Sequence, residues 1–195
     1  MTFTKELVEK AQKGDLAAFE ELVVIYQDRV FTHCCHLTGN RDDGQDLAQD
    51  VFVQAFKSIK SFRFKADFGT WLHRIAVNSW INQVRKQNKI SFIFLDEPIK
   101  NLNGEAKREL AAVDEPLDMQ VERQEFLSII QSALNNLSPE YRVVLVLREI
   151  EGYSYEEIMK MLNCSLGTVK SRLNRARRAL KAELENSGIL RGFSI

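Results

Sequence analysis

Residues that interrupt helices are scarce in this sequence, which has only three prolines and nine glycines among its 195 residues. Since turns and strands use both residue types, their scarcity predicts a helix-rich fold. Hydrophobic residues make up 45% and charged residues 28% of the chain, a composition typical of soluble globular proteins. No apolar run approaches the roughly 20 residues that span a membrane. The charged N-terminal stretch MTFTKELVEKAQKGD lacks the apolar segment of a signal peptide, so we expect a cytoplasmic protein.

Catalytic and cofactor-binding signatures are missing as well. The sequence contains no G-x-x-x-x-G-K-[ST] phosphate loop, no G-x-S-x-G elbow and no H-E-x-x-H zinc motif. We therefore expect that the protein is not an enzyme and that it uses no metal, no cofactor and no small-molecule substrate.

The three cysteines, Cys34, Cys35 and Cys164, do not suggest a disulfide framework. Two of them lie in the run His33-Cys34-Cys35-His36, which invites a zinc interpretation. Four consecutive helical residues suit a tetrahedral site poorly, because their side chains fan out by about 100° per residue. His33 and His36 could share one face, yet two ligands make a weak site. We expect Cys34 to join the core and Cys164 to fill space in a turn.

Charge is balanced overall but segregated along the chain. The net charge is zero, whereas residues 57–89 carry eight basic side chains against one acid, and residues 170–181 carry six against none. Acids gather at residues 42–50. This segregation predicts two surfaces for polyanions and separate surfaces for basic partners. Ordinary solvated helix faces are the alternative.

Helical periodicity predicts a bundle in the first domain, residues 1–92. A short helix over 5–13 leads, Asp15 caps a helix that runs to Leu37, and a third helix begins near Asp43. After the break SFRFKADFGT, a long fourth helix ends in the basic RKQNK. The predicted core positions are Phe19, Leu22, Val23, Tyr26 and Val30 in the second helix, Leu47, Ala48, Val51, Phe52, Ala55, Phe56 and Ile59 in the third, and Trp71, Leu72, Ile75, Ala76 and Ser79 in the fourth.

Residues 93–116 are predicted to form an acidic, flexible linker. Helical periodicity is weak there, and Pro98, Pro116 and Gly104 interrupt the stretch. The apolar string SFIFL at its start is expected to dock somewhere. A C-terminal tail covers residues 187–195.

The second domain, residues 117–186, is punctuated by clear capping signals. A helix is predicted over 117–134, Ser138-Pro139 starts the next one, and Gly152 closes it. Ser154 and Glu157 have the spacing of a capping box. The short helix YEEIMKML ends at Asn163, and a long helix starts near Gly167.

These last two helices have the pattern of a helix-turn-helix. The short helix is predicted to bury Ile158, Met159 and Leu162, and the long one Val169, Leu173, Ala176 and Leu180. The other side of the long helix is then a polar and basic face open to solvent. An α-helix fits the major groove, where Lys and Arg bind phosphates or guanine and Asn suits adenine. We expect Lys170, Ser171 and Asn174 to read bases and Arg175, Arg177 and Arg178 to hold the backbone. A basic, solvent-facing helix in an ordinary bundle is the alternative.

The string EEIMKMLNCSLGTVKSRLNRARRAL resembles the region 4 signature of the extracytoplasmic-function (ECF) sigma factors, group 4 of the sigma-70 family. FEELVVIYQDRVFTHCCHLTGNRDDGQDLAQDVFVQAF is similar to their regions 2.1 and 2.2, and FGTWLHRIAVNSWINQVRK to regions 2.3 and 2.4. The order of region 2, linker and region 4 is the ECF arrangement. The resemblance covers about residues 15–185 and implies an all-α protein of two small helical domains joined by a flexible linker.

The resemblance implies partners as well as a fold. Core RNA polymerase would be bound through its β′ coiled coil and β flap, and a cytoplasmic anti-sigma factor would sequester the free protein. The linker would thread toward the active-site cleft and mimic nucleic acid. The polymerase-binding residues implied in region 2.2 are Asp43, Asp46, Leu47, Gln49, Asp50 and Phe52.

Promoter contacts are implied at two elements. Region 4 would read the −35 element as duplex, with the implied residues Thr168, Lys170, Ser171, Asn174, Arg175, Arg177 and Arg178. Region 2 would read and melt the −10 element by holding a flipped base between an aromatic wall and an amide. The residues implied there are Phe62, Arg63, Lys65, Arg74, Asn78, Arg85 and Lys86, with Lys89 as a further backbone contact.

Several of these aromatic residues have a second interpretation. Phe62 and Phe64 could both be core residues, Trp71 is expected in the core, and Trp80 could either stack on DNA or pack inside. Two other functions also stay open at this point. One is a stand-alone helix-turn-helix regulator that binds duplex sites without polymerase. The other is an enzyme such as a helical nuclease or a cysteine hydrolase.

Overall fold

The structure is a computed structural model that describes residues 2–88 and 128–186. Within these ranges the chain is helical with short connections and has no strand, which confirms the all-α prediction. It forms two compact units, divided in sequence between Phe92 and Ile93. The predicted linker 93–116, the string SFIFL, Lys89, the start of the helix predicted from Leu117 and the tail 187–195 all lie outside the described residues.

The first unit is a bundle of four helices. Asp15 caps the second helix, as predicted, by accepting a hydrogen bond from the backbone N–H of Ala18 at 3.1 Å. Asn40 caps the third through the N–H of Asp43 at 2.7 Å, so this helix begins slightly before the predicted Asp43. The elements are α1 (Thr2–Gln12), α2 (Leu16–Thr38), α3 (Arg41–Ser58), a 3₁₀ turn (Ile59–Ser61) and α4 (Phe68–Asn88).

The core of the first unit largely follows the predicted stripes. Cys34 is fully buried, which confirms its predicted place. Phe56 is 47% exposed and contradicts its predicted place in the core. Its ring packs edge-on against Phe19, with centroids 5.1 Å apart, at the outer end of α3. Other residues of this core include Leu22, Val30, Leu37, Leu47, Val51, Ala55, Leu72 and Ala76.

Gly44→Ala is expected to destabilise the first unit by about 1–3 kcal/mol. A Cβ at Gly44 would lie 2.6 Å from the Sγ of Cys35 and 3.0 Å from its Cα, and a packed helix backbone cannot move aside cheaply. Urea unfolding followed by circular dichroism measures the change. Gln45→Ala, at an exposed neighbouring position, is the control and should cost less than about 0.5 kcal/mol. Equal stability of the two variants would contradict this close α2–α3 contact.

Within residues 128–186 the second unit contains four further helices. The described part of the first, α5, covers residues 128–135. Arg142 donates to the carbonyls of Leu134 and Asn135 at its end, at 3.0 and 2.7 Å, and burial lowers the pKa of this guanidinium. The other helices are α6 (Pro139–Leu145), which continues into a π-helical turn (Val146–Ile150), α7 (Tyr155–Leu162) and α8 (Leu166–Asn186).

The core of the second unit lies between α6, α7 and α8. In α7 the buried residues are Ile158, Met161 and Leu162, whereas Met159, predicted to be buried, is half-exposed. The spacing i, i+3, i+4 places Met161 rather than Met159 on the inner stripe. Leu180 of α8, also predicted to be buried, is half-exposed. Of the helices in the described ranges, none is long and apolar enough to cross a membrane.

Candidate nucleic-acid and protein interfaces

The helix-turn-helix is fixed by caps on both of its helices. The predicted capping box of α7 is confirmed, since Ser154 Oγ accepts from the N–H of Glu157 at 3.2 Å and the Ser154 N–H donates to Glu157 Oε2 at 2.8 Å. Asn163 ends α7 in the left-handed conformation, with φ 49°. Ser165 Oγ then accepts from the N–H of Thr168 at 3.1 Å and starts α8. The turn between the helices is therefore three residues long, 163–165.

The two sides of α8 differ in character. Val169, Leu173 and Ala176 are buried against the rest of the unit. Thr168 is half-buried, and its hydroxyl lies 2.8 Å from that of Ser165, so it stabilises the start of the helix. The other predicted −35 residues are exposed, namely Lys170, Ser171, Asn174, Arg175, Arg177 and Arg178.

One residue of this basic face is engaged within the unit. Arg177 Nε and Nη2 both donate to Glu149 Oε1, at 3.0 and 2.7 Å. This hydrogen bond with Glu149 raises the pKa of the Arg177 guanidinium. Glu149 lies in the π-helical turn, where the Glu151 N–H reaches the carbonyl of Val146 at 2.9 Å. No local sequence pattern predicts this pair, because its members are 28 residues apart.

The loop before α4 presents a different aromatic ring from the one predicted. Phe62 is buried, and its ring lies 5.0 to 5.5 Å from those of Phe64, Phe68 and Trp71. It packs among these rings in the core, and its role as the wall of a base pocket stays a prediction. Phe64 is 41% exposed and has a φ of 55°, unusual for a bulky residue. Phe64 is the aromatic side chain that this loop offers to a partner.

The remaining predicted −10 residues line exposed parts of the loop and of α4. Arg74, Asn78 and Arg85 follow one another at i, i+4 and i+11 on an exposed face of α4. Arg63 and Lys65 in the loop and Lys86 on α4 are exposed as well. Trp80 is only 4% exposed, so its packing in the core excludes stacking on DNA, and Trp71 is half-buried.

The acidic face of α3 is exposed and continues into an apolar groove. Asp43, Asp46, Gln49 and Asp50 are exposed, and Phe52 is half-buried. Leu47 is fully buried in the core, and its contact with polymerase stays a prediction. One turn further along, the exposed Val53 and Phe56 border a groove with Leu16, Phe19 and Glu20 of α2. Helical periodicity does not predict this groove, because it places Phe56 in the core.

The histidines and cysteines of residues 33–36 pack within the first unit. His33 stacks in parallel on His73 of α4, with ring centroids 4.1 Å apart, and both are fully buried. Cys35 is half-buried, and burial raises the pKa of its thiol. Since a reactive cysteine needs a lowered pKa, this environment suits packing rather than redox chemistry.

Comparisons with known proteins match both units. Residues 22–90 match the family described as Sigma-70 region 2, and residues 127–180 match Sigma-70, region 4. The ECF RNA polymerase sigma factor SigW of Bacillus subtilis (strain 168) is 35% identical over 183 residues, which cover 93% of this chain and 97% of that protein.

Two solved structures share the fold. CnrH, in complex with the cytosolic domain of CnrY, superposes with a TM-score of 0.61 at 25% identity and covers 94% of this chain and 98% of its own. The sigma factor RpoE of Bartonella quintana, in complex with the anti-sigma factor NepR, gives a TM-score of 0.60 at 24% identity. The match covers 86% of this chain and 96% of that one.

Proposed function

Because the chain belongs to the ECF RNA polymerase sigma factors, we propose that it binds core polymerase, recognises −10 and −35 promoter elements, and directs transcription initiation. The observation that carries this proposal is that both sigma regions occur in order along one chain. The match to the Bacillus subtilis sigma factor also extends over nearly the whole length of both proteins. A stand-alone helix-turn-helix regulator would not need the first unit. We assign region 2 to residues 1–92, the linker to 93–116, region 4 to 117–186 and a tail to 187–195.

The acidic face of α3 and its adjoining groove are proposed to bind the β′ coiled coil of polymerase. A basic, amphipathic partner helix would place its cations near Asp46, Gln49 and Asp50 and its apolar side chains against Val53 and Phe56. Exposed charge of this kind sets association rate and register, whereas the apolar contact supplies most of the affinity. The β flap is the proposed partner of region 4.

The exposed side of α8 is proposed to enter the major groove of the −35 element. Lys170, Ser171 and Asn174 lie in its first turns, which is where recognition helices reach base edges. Arg175 and Arg178 would bind phosphates on either side. Thr168 supports this surface through its hydrogen bonds with Ser165, which caps the start of the helix.

Glu149→Gln is expected to raise the salt dependence of holoenzyme binding to −35 duplex, because it replaces the carboxylate with a weaker neutral acceptor and so makes the Arg177 guanidinium more available to a phosphate. The slope of log affinity against log salt should steepen by up to about one unit. Arg178→Ala should make it shallower by about one unit, and Arg177→Ala should change it less. Fluorescence anisotropy over a range of salt concentrations measures all three. Equal slopes for Arg177→Ala and Arg178→Ala would contradict the restraining role of Glu149.

At the −10 element, Phe64 and Asn78 are proposed to capture an unstacked base of the non-template strand. Base–aromatic stacking contributes about 1–3 kcal/mol per base, and the amide can hydrogen-bond to a base edge. Arg63, Lys65, Arg74, Arg85 and Lys86 would track the backbone. Strand opening is then driven by binding energy, without nucleotide hydrolysis, and the protein itself catalyses no reaction.

An anti-sigma factor is the proposed regulatory partner. CnrH is bound to the cytosolic domain of CnrY, and the Bartonella quintana sigma factor to the anti-sigma factor NepR. A similar partner would sequester this protein in the cytoplasm, where polymerase acts, by covering both of its domains.

Run-off transcription tests the proposed function. Core polymerase from the source bacterium is incubated on fragments of its genome with or without the protein. Discrete transcripts that need the protein support the proposal. Protection of duplex DNA by the protein alone, with no new transcripts, would overturn it and favour the stand-alone regulator.

A further inference from the structure

Helix α1 is hydrogen-bonded directly to the loop that carries Phe64. Gln12, at the end of α1, donates through Nε2 to the carbonyl of Ile59 at 2.9 Å and to the carbonyl of Phe62 at 2.8 Å. Ile59 is the first residue of the 3₁₀ turn that leads into the loop, and Phe62 directly follows the turn. The bonds connect parts of the chain that are 47 and 50 residues apart, so they are tertiary contacts.

The same helix makes two further contacts with the surroundings of the loop. Lys5 Nζ lies 5.9 Å from the ring centroid of Phe64, within the range of a cation–π interaction. The side chain of Thr4 interacts with the hydroxyl of Tyr26, whose ring packs edge-on against Phe68, the first residue of α4, with centroids 5.4 Å apart. Burial of this tyrosine raises its pKa. One face of α1 therefore contacts the start of the loop directly and its far end only through Tyr26 of α2.

The backbone of the loop needs such support. Phe64 adopts a left-handed φ of 55°, a conformation that costs about 1–3 kcal/mol in a residue other than glycine. Strain of this kind persists only where the surroundings fix it. The side-chain amide of Gln12 donates a hydrogen bond to the carbonyl of Phe62, which lies two residues before Phe64. The carbonyl of Ile59 also accepts from the N–H of Phe62 at 3.0 Å, so Gln12 reinforces the turn itself.

We propose that Gln12 is a positioning residue for −10 recognition, and that through it α1 holds the loop in the conformation that presents Phe64 to DNA. The inference rests on the proposed function for the identity of the ligand. We call the contact of Gln12 with the backbone of the loop the brace. The brace itself rests on the contacts of α1, which precedes the region 2 match at residues 22–90. Gln12 touches no base in this account and acts through the loop backbone.

Gln12→Glu is the test variant, because it keeps the size of the side chain and removes both N–H donors. Gln12→Leu removes the same donors without adding charge. The matched control is Gln27→Leu, at an exposed glutamine of α2. Gln12→Lys retains donors for the two carbonyls and serves as the rescue. Hydrogen exchange of the amides of residues 59–64 is measured in the full-length protein, alongside transcription by each holoenzyme from promoters with an intact or substituted −10 element.

The expected result for both donor-free variants is faster exchange at residues 59–64, with unchanged protection in the middle of α2 and α3. Discrimination between the intact and substituted −10 elements should fall about fivefold to tenfold, the effect of losing about one net hydrogen bond. Activity on a template whose −10 region is already unpaired should change less than twofold. Gln12→Lys should recover at least half of the discrimination, and Gln27→Leu should behave as the wild type.

Three results would each overturn one claim: the brace, the positioning role of Gln12, or the proposed function. Unchanged exchange in both donor-free variants would overturn the brace. Faster exchange with unaltered discrimination would overturn the positioning role while leaving the brace. Wild-type holoenzyme that ignores the −10 sequence would instead refute the proposed function, and the exchange data would still test the brace.

Discussion

Replacing Asp46 and Asp50 together with arginine is expected to weaken binding to core polymerase at least about 100-fold, the largest effect that we predict for any pair of exposed residues. The two side chains lie one turn apart on the exposed face of α3. Like charges brought together at an interface cost several kcal/mol, and every 1.4 kcal/mol is a tenfold change in affinity. Binding of fluorescently labelled protein to core polymerase at near-physiological salt measures the loss.

A control with the same change in charge separates this surface from a general electrostatic effect. Glu6→Arg with Asp28→Arg reverses two exposed acids on α1 and α2 and should reduce affinity less than about threefold, because salt screens the long-range repulsion that it adds. Thermal unfolding should show that both double variants are folded. An equal loss in the two double variants, or full affinity in the α3 variant, would contradict the proposed polymerase surface.

Phe64→Ala is expected to slow open-complex formation about 10- to 100-fold, because it removes the ring on which the captured base would stack. The substitution should leave stability nearly unchanged or raise it slightly, since alanine fits a φ of 55° no worse than phenylalanine and the ring is 41% exposed. Permanganate reactivity of unpaired thymines in the promoter measures opening directly.

Phe62→Ala provides the contrast. Phe62 is buried among aromatic rings, so its truncation should cost about 3–5 kcal/mol of folding stability.

On a template that is already unpaired at the −10 region, Phe64→Ala should regain most of its activity. Normal opening by Phe64→Ala on duplex DNA would contradict the role assigned to this ring.

Local signals in the sequence predicted most helix boundaries of this fold. Asp15 and Ser154 cap helices where the residue pattern placed them, because capping depends on neighbours within three positions. The core was predicted less well at the ends of helix stripes. Phe56 and Met159 were assigned to the core by periodicity, yet a stripe is buried only as far as a neighbouring helix covers it. The position of that neighbour is a tertiary property.

The candidate sites show a similar division. The basic face of α8 followed from helical spacing alone. The burial of Phe62 and the exposure of Phe64 could not be predicted, because a loop has no periodicity and the left-handed backbone of Phe64 leaves no local sequence signal. The Glu149–Arg177 pair depends on a π-helical turn, which shifts the phase of the following residues. The contact of Gln12 with the loop joins residues too far apart in sequence for any local pattern.

Affinity for core polymerase that has been stripped of its resident specificity subunit tests the central claim most directly. The purified chain should form a one-to-one complex that survives gel filtration and initiates at a defined start site on duplex promoter DNA. Absence of any complex at micromolar concentrations of both components, with folded protein and active enzyme, would contradict the account.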